Sequence, residues 1–214
     1  MMRRLLISGA FLLSTATRVS VAQDGQIDPL TRLDLRYRLQ IEAVIDSARQ
    51  AGLPWHAVRS KALQGVSMRV DAQKIVAGVR QTFANLVKAR DVLGPLPAND
   101  LESGASALSA GIRSEDLALF RPATAGRSPT HALVYLADLI SPRHGVPRED
   151  AVAAFAKLWN DGAADDQFDG LWRGIDQDIM SGVNPKAALQ HQMSRIPPRS
   201  VRPPADQRQE NPHS

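Results

Sequence analysis

Acidic side chains cluster near one expected helix start in the last third of the chain. Asp161 is followed closely by Asp165, Asp166 and Asp169, and positions 165 and 169 share one face of a helix. Carboxylates at this spacing could act as a general acid and base or form a loose calcium site. The same acids are also favoured by the electrostatics of a helix N-terminus, and their spacing differs from that of a calcium loop. The pattern therefore favours a helix-start role over a catalytic pair.

Other residue types that could do chemistry are scattered along the chain. The dipeptides Ser103-Gly104 and Ser181-Gly182 lack the Gly-x-Ser-x-Gly elbow of a serine nucleophile, so we interpret both as helix ends. Cysteine is absent, and neither common glycine-rich phosphate loop occurs. None of the histidines has a metal-ligand spacing such as HExxH, and the turn around His144 predicts a solvated side chain. The sequence thus predicts no catalytic, cofactor-binding or metal-binding residue. The histidines are His56, His131, His144, His191 and His213.

The three tryptophans differ in their expected environment. Trp159 and Trp172 lie on apolar helical stripes, which predicts that both belong to the core. Trp55 follows a proline at a helix start. It could cover the turn at Gly52 or stand exposed as an interface anchor.

The N-terminal residues have the features of an export signal. Arg3 and Arg4 form a basic start, an apolar segment follows over residues 5–16, and Ser20-Val21-Ala22 supplies the small residues that a signal peptidase requires. We expect cleavage after Ala22 and export to the periplasm or the medium. Spanning a bilayer takes about 20 apolar residues, and Arg18 interrupts this run too early. The sequence therefore predicts a signal peptide over residues 1–22 and no integral membrane segment in the mature chain.

The two ends of the chain also account for its net positive charge. The whole chain has 26 basic and 22 acidic residues. Residues 1–22 hold three of the basic residues and no acid, and residues 195–214 hold four basic residues and two acids, which leaves the body nearly neutral. Proline and polar residues dominate 196–214, so we predict a disordered tail there. A neutral body lacks the basic patch of a nucleic-acid-binding domain.

Turns with a glycine before an apolar residue and a proline divide the body into helices. In Gly52-Leu53-Pro54, glycine can take the left-handed conformation that closes one helix, and proline fits the first turn of the next. Related segments follow at Gly111, Gly126, Gly145 and Gly182. Their uneven separations argue against a solenoid with a fixed repeat.

The apolar periodicity between these turns predicts an all-α fold in one domain over residues 23–195. We expect an irregular array of about eight or nine short helices packed as helical hairpins. Alternation at residues 33–41 resembles a strand, but the continuation to residue 50 has helical spacing. The expected helices cover residues 33–50, 54–64, 72–93, 97–108, 114–120, 129–140, 147–160, 165–181 and 185–196.

Several of these segments resemble a group of uncharacterised exported bacterial helical proteins. The resemblance covers most of the body. Gln64 stands where an acid is commoner in that group, and Val70-Asp71 lacks a preceding Gly-Val-Pro turn. The resemblance implies an exported helical fold only, since no activity is established for the group. The segments are Gly52-Leu53-Pro54, Lys61-Ala62-Leu63-Gln64-Gly65, Ile75, Val79-Arg80, Ala107-Leu108-Ser109-Ala110-Gly111, Leu136-Ala137-Asp138-Leu139, Gly145-Val146-Pro147 and Gly182-Val183.

These observations favour a non-catalytic exported domain that binds another protein or a component of the cell envelope. The alternative is an envelope hydrolase or lytic enzyme whose acidic residues converge only in the fold. A membrane-surface protein is a third possibility, which the neutral body disfavours because interfacial helices carry a basic polar face.

Overall fold

The computed structural model of the chain describes residues 28–124 and 126–196, and in these ranges it is entirely helical. A short 3-10 helix, Pro29–Arg32, precedes nine α-helices, and no strand occurs in the described residues. The predicted all-α class, with short helices packed in one domain, is confirmed. The predicted signal peptide and the predicted tail beyond Ile196 lie outside the described residues. The helices are α1 Leu35–Gln50, α2 Trp55–Ser67, α3 Ala72–Leu93, α4 Ala98–Ser109, α5 Ser114–Ala118, α6 Thr130–Leu139, α7 Arg148–Asn160, α8 Asp165–Met180 and α9 Pro185–Ser194.

The first three helices form a unit in which α1 and α3 run parallel. Arg80 on α3 donates to the Gln40 side chain on α1 at 2.9 Å, and Arg90, further along α3, donates to the carbonyl of Ala51 just after α1 at 2.9 Å. Position 80 thus pairs with position 40, and position 90 with position 51, so residue numbers increase in the same direction along both helices. The two helices are therefore parallel. The intervening helix α2 runs back between them and packs antiparallel to α3.

Two apolar clusters meet at the α3–α4 hairpin. The first lies among α1, α2, α3 and α4, and the second among the end of α3 and the helices from α4 to α9. Leu96 and Leu108 pack against both clusters. The hairpin is therefore the shared wall of the fold. The largest fully buried side chains include Ile41, Val58, Val79 and Leu86 in the first cluster and Phe120, Leu133, Phe155 and Phe168 in the second.

A glycine brings α3 and α4 close together. A Cβ placed on Gly104 would lie 2.9 Å from Cδ1 of Leu93 and 3.1 Å from Cβ of Ala89. Ser103 and Gly104 are buried in the middle of α4. Our interpretation of Ser103-Gly104 as a helix end is therefore wrong, because Gly104 serves side-by-side packing and the helix continues through it.

The start of α6 is tied to α4 by a buried carboxylate. Asp100, in the first turn of α4, is only 4% exposed. It accepts a hydrogen bond from the Thr130 hydroxyl at 2.7 Å and another from the Ser128 hydroxyl. A buried carboxylate is costly unless it is hydrogen-bonded, and here two hydroxyls at or just before the start of α6 both donate to Oδ1 of Asp100.

The glycine turns at Gly52, Gly111 and Gly182 close helices as the sequence predicts. At Gly52, with φ of +66°, the Leu53 amide donates to the carbonyl of Ala48 at 2.9 Å, and the Gly52 amide donates to that of Arg49 at 3.1 Å. These two bonds form a Schellman motif, which satisfies carbonyls left open at the helix end. The same pair of bonds recurs at Gly111, Gly162 and Gly182.

The end of α2 departs from this pattern and from our prediction. Gly65 does not close α2, because the helix continues to Ser67. A Cβ on Gly65 would lie 2.7 Å from Cγ1 of Ile75, so this glycine serves the contact with α3. The left-handed position falls on Arg69, with φ of +54°, and the Val70 amide donates to the Gly65 carbonyl at 2.9 Å. An arginine therefore occupies a position that is glycine in the related turns.

Within the described ranges, no helix combines the length and apolar composition needed to cross a membrane.

The carboxylate of Asp116 joins the start of α5 to Arg113. Its oxygens accept from Nε of Arg113 at 3.0 Å and from Nη2 at 3.2 Å, and its side chain is 12% exposed. The hydrogen bond from Arg113 lowers the pKa of Asp116 below its ordinary value, and the guanidinium charge adds to this effect against the opposing effect of burial. The pair therefore holds the charged carboxylate in the folded state.

Replacing Arg69 by glycine should stabilise the protein. A residue with a Cβ pays about 1–2 kcal/mol in the left-handed conformation, and the greater entropy loss of glycine offsets part of this gain. We expect Arg69→Gly to raise the free energy of unfolding in urea by about 1 kcal/mol or slightly less. Arg69→Ala, which keeps the Cβ, should give no such gain. Conversely, Gly52→Val should lower the free energy of unfolding by about 1 kcal/mol or more, because valine is strained in the left-handed conformation. An Arg69→Gly variant no more stable than Arg69→Ala would contradict this account of the turn.

Acid should weaken the protein partly through Asp116. Because the pKa of Asp116 is lower in the folded than in the unfolded chain, its contribution is complete above the unfolded value of about 3.9 and is lost as the pH falls toward the folded value. Urea unfolding at several pH values should show a steeper loss of stability below about pH 5 for the wild type than for Asp116→Asn. The exposed Asp166→Asn should behave like the wild type. Parallel curves for the wild type and Asp116→Asn would refute this assignment.

Candidate functional site

Parallel helices α6 and α8 are joined by a row of polar and aromatic pairs, which we call the α6–α8 seam. His131 on α6 pairs with Asp165 on α8 at 2.9 Å, and the Tyr135 hydroxyl donates to Asp169 at 3.0 Å. One turn further, Nε1 of Trp172 donates to Asp138 at 2.9 Å. The partners are 34 positions apart at each step, so α6 and α8 advance in the same direction. The seam consists of His131, Tyr135, Asp138, His144, Asp165, Asp169, Trp172 and Asp176.

His144 closes the seam from the turn after α6. Its side chain is only 1% exposed. Nε2 lies 2.9 Å from the carboxylate of Asp176, and Nδ1 lies 3.1 Å from the backbone carbonyl of Asp138. The Trp172 ring meets the imidazole edge to face, with centroids 6.3 Å apart. Our prediction of a solvated His144 is therefore wrong, because tertiary packing folds the turn against α8.

A histidine beside a carboxylate has the composition of a catalytic dyad, but the geometry of His144 does not allow that role. General base catalysis requires a ring nitrogen within hydrogen-bond reach of the substrate. Both nitrogens of His144 are occupied by protein oxygens, and the ring is buried. His144 therefore acts as a joint between the α6–α7 turn and α8.

The acids at the start of α8 do not converge. Asp161 pairs with Lys157 at 2.6 Å on α7, while Asp165 and Asp169 both face α6 but bind different partners. Asp169 also pairs with Arg173, and Asp166 is exposed. Elsewhere in residues 28–124 and 126–196 as well, no three acidic or histidine side chains come together as a metal site. The prediction that positions 165 and 169 share a face is confirmed.

Tyr135 is held as a hydrogen-bond donor within the seam. Burial raises the pKa of its hydroxyl above the ordinary value, and the hydrogen bond to Asp169 raises the pKa further. The ring stacks on Trp172 with centroids 5.4 Å apart. The neutral hydroxyl is the form that donates to the carboxylate, so the shift and the contact reinforce each other.

The tryptophans occupy three different environments. Trp159 is buried at 3% exposure, as predicted, with the Arg127 guanidinium 3.6 Å from its ring centroid. Trp172 is partly buried: its ring packs against the second cluster, and its nitrogen donates to Asp138 in the seam. Trp55 packs against the first cluster and beneath the Arg49 side chain at the end of α1, with the guanidinium 4.4 Å from the ring centroid.

A separate groove of about 600 Å³ opens between α2, α3 and α4, and we call it the α2–α3–α4 groove. One wall is the exposed face of α2, the other is α4, and Thr82 and Leu86 of α3 contribute to its floor. Residues 56, 60 and 64 recur at intervals of four on α2, and residues 102, 106 and 109 do so at three and four on α4. The lining residues are His56, Ala57, Ser60, Lys61, Gln64, Thr82, Leu86, Glu102, Ala105, Ser106 and Ser109.

The polar side chains of this groove are largely unused by the fold. Among the described residues, Ser60, Glu102 and Ser106 have no side-chain hydrogen bond or ion pair. Lys61 makes only a 3.3 Å contact with Gln64 and no ion pair within the described chain. The seam and the groove thus differ: polar groups in the seam bind each other, whereas Ser60, Glu102 and Ser106 in the groove have no such partner among the described residues.

A buried amide supports the α4 wall from below. Asn85 on α3 is 6% exposed and donates to Oγ of Ser109 at 2.8 Å, while Gln81 donates to Oδ1 of Asn85 at 2.9 Å. Because Ser109 accepts the bond from Asn85, its own hydroxyl proton can be donated into the groove. The network joins α3 to the C-terminal end of α4 beside the groove.

Comparison of the chain with models of protein families, with curated proteins and with solved structures finds no match. The case for any site therefore depends on the geometry of this chain.

The buried joint at His144 should be energetically coupled to Asp176. In a double-mutant cycle with His144→Ala and Asp176→Ala, measured by urea unfolding, we expect a coupling free energy of about 1–3 kcal/mol, because each single change leaves a polar partner without its bond. The exposed pair of His131 and Asp165 provides the matched cycle. Its coupling should be about 0.5 kcal/mol or less, since solvent screens exposed pairs. Equal coupling in both cycles would contradict the structural role assigned to His144.

Proposed function

We propose that this chain is an exported, non-catalytic helical domain that binds another protein or a component of the cell envelope through the α2–α3–α4 groove. The observation that carries the proposal is the contrast between the two polar regions. Hydrogen-bonding groups in the α6–α8 seam are consumed by internal contacts, whereas Ser60, Glu102 and Ser106 have no partner in the described chain. Unused donors and acceptors on two rigid helix walls are what a recognition site requires.

Charge and surface composition support a protein or envelope ligand. The body of the chain is nearly neutral, which argues against a nucleic-acid backbone as the partner. Exposed large apolar side chains occur on different elements, including Leu35 and Leu39 on α1 and Met180 at the end of α8. The groove, with its mixed apolar floor and polar walls, is therefore the preferred binding surface.

A non-catalytic role is favoured over the hydrolase alternative. That alternative depends on acids that converge in the fold, and Asp161, Asp165 and Asp169 are bound to separate partners. Export is proposed from the basic and apolar N-terminal residues and the small residues before position 23. The mature chain would begin at Gln23.

Site-directed photocrosslinking can test the groove. The sequence contains no cysteine, so Ser106→Cys introduces a single thiol for a photoreactive maleimide. In native envelope extract we expect a discrete adduct at position 106, and excess unlabelled wild-type chain should compete with it. Gln177→Cys, on the exposed surface of α8, is the matched control and should give no such adduct.

The opposite pattern would overturn the proposal. Identical products at positions 106 and 177, or an adduct that wild-type chain does not reduce, would show that the groove is not a specific site. Mass spectrometry of the native protein in the same fractions tests export, because a chain that retains Met1 would contradict cleavage after Ala22. Release of soluble fragments from purified envelope material by the wild type, lost in Asp165→Asn, would favour the hydrolase alternative.

A further inference from the structure

Two opposite charges lie toward opposite ends of the α2–α3–α4 groove. Cε of Lys61 is 3.7 Å from the position of a Cβ on Gly78, which places Lys61 beside the first half of α3. Helices α3 and α4 are antiparallel, because Asn85 contacts Ser109 whereas Ala89 contacts Gly104. Glu102 comes two positions before Gly104 on α4. Measured along the axis of α3, it therefore lies at the height of Ala89 or nearer the C-terminal end of α3. The rise from position 78 to position 89 corresponds to about 16 Å along α3.

The two charges do not neutralise each other. Neither Lys61 nor Glu102 forms an ion pair with any described residue. At physiological ionic strength the Debye length is about 8 Å, which is about half the axial offset between the two positions along α3, so solvent largely screens the attraction between them. Each end of the groove therefore presents its own sign of charge to a ligand.

Between the charges, the groove offers hydroxyl groups above a narrow apolar floor. Ser60 lines one wall, Ser106 and Ser109 line the other, and Thr82 lies between the walls with its own proton donated to the Gly78 carbonyl at 2.9 Å. Hydroxyls both donate and accept, which suits a backbone that alternates N–H and C=O groups. An extended chain rises about 3.3 Å per residue, so about five residues span the distance between the charges. The floor is formed by Ala57, Leu86 and Ala105.

We infer that the groove binds an extended polypeptide segment of a partner protein, with a basic group against Glu102 and an acidic group about five residues away against Lys61. This inference rests on the proposed function of the groove and adds the chemistry of its ligand. A neutral glycan strand would use the hydroxyls and leave both charges without partners. A peptide with one group of each sign uses the walls and both ends.

A peptide array can test this specificity. The probes are immobilised ten-residue peptides of Ser, Gly and Asn that carry two charged residues separated by two to six positions. The wild-type chain should prefer opposite-sign pairs over uncharged peptides by at least about fivefold, a size expected from two partly exposed charge pairs. Raising the salt concentration should reduce the preference, because exposed charges are screened.

Charge reversal at either end should change the selected peptides in a defined way. Lys61→Glu makes both ends acidic and should select peptides with two basic residues. Glu102→Lys makes both ends basic and should select peptides with two acidic residues. The controls Lys88→Glu and Glu149→Lys make the same charge changes at exposed positions outside the groove and should keep the wild-type selection.

Unchanged selection in both groove variants, or no preference for opposite-sign pairs in the wild type, would overturn this inference. Preferential competition by peptide-free glycan strands would also overturn it and identify a different ligand class. In either case a specific adduct at position 106 would still support the groove as a binding site. If there is neither a specific adduct at position 106 nor any selective binding on the peptide array, both proposals are overturned.

Discussion

The close approach of α3 and α4 at Gly104 is the contact on which the rest of the fold depends. A Cβ on Gly104 would lie 2.9 Å from Cδ1 of Leu93 and 3.1 Å from Cβ of Ala89, so a larger residue would force these neighbours to shift. The two apolar clusters meet at this hairpin, so its spacing sets how the first three helices and the last five are joined. The same spacing sets the depth of the α2–α3–α4 groove, because α3 contributes Leu86 to its floor and α4 forms one of its walls.

Polar groups in this protein serve two different purposes. Asp100, Asn85 and His144 are buried, and each has partners on a neighbouring element, as the cost of burying an unsatisfied polar group demands. These contacts orient helices that apolar packing alone would allow to slide or rotate. The polar side chains of the groove sit on helices fixed in this way. The hydrogen-bonding capacity of Ser60, Glu102 and Ser106 remains available because these side chains have no partner among the described residues.

Local signals in the sequence were sufficient to predict the positions of most of the helices. Asp71 accepts hydrogen bonds from the amides of Gln73 and Lys74, as expected of an N-cap, and Gly52 takes the left-handed conformation. The errors occur where a glycine is used for packing between helices. Gly65 and Gly104 lie inside helices, where the absence of a side chain lets Ile75 and Leu93 pack closely against them. Residues close to each glycine in the sequence do not indicate these contacts. The sequence did not predict the left-handed conformation of Arg69, because a residue with a Cβ disfavours that conformation.

The candidate site could not be found from the sequence, because its residues lie on three helices and no motif links them. The sequence by itself determined the helical periodicity, the positions of most helix ends and the near-neutral charge of the body, since these depend on neighbouring residues and on composition. The tertiary structure decided that His144 is buried, that the acids of α8 bind separate partners, and that Lys61 and Glu102 face one groove. These outcomes depend on which helix faces pack together, and the parallel pairing of α6 with α8 across an intervening helix is a long-range result of the whole core.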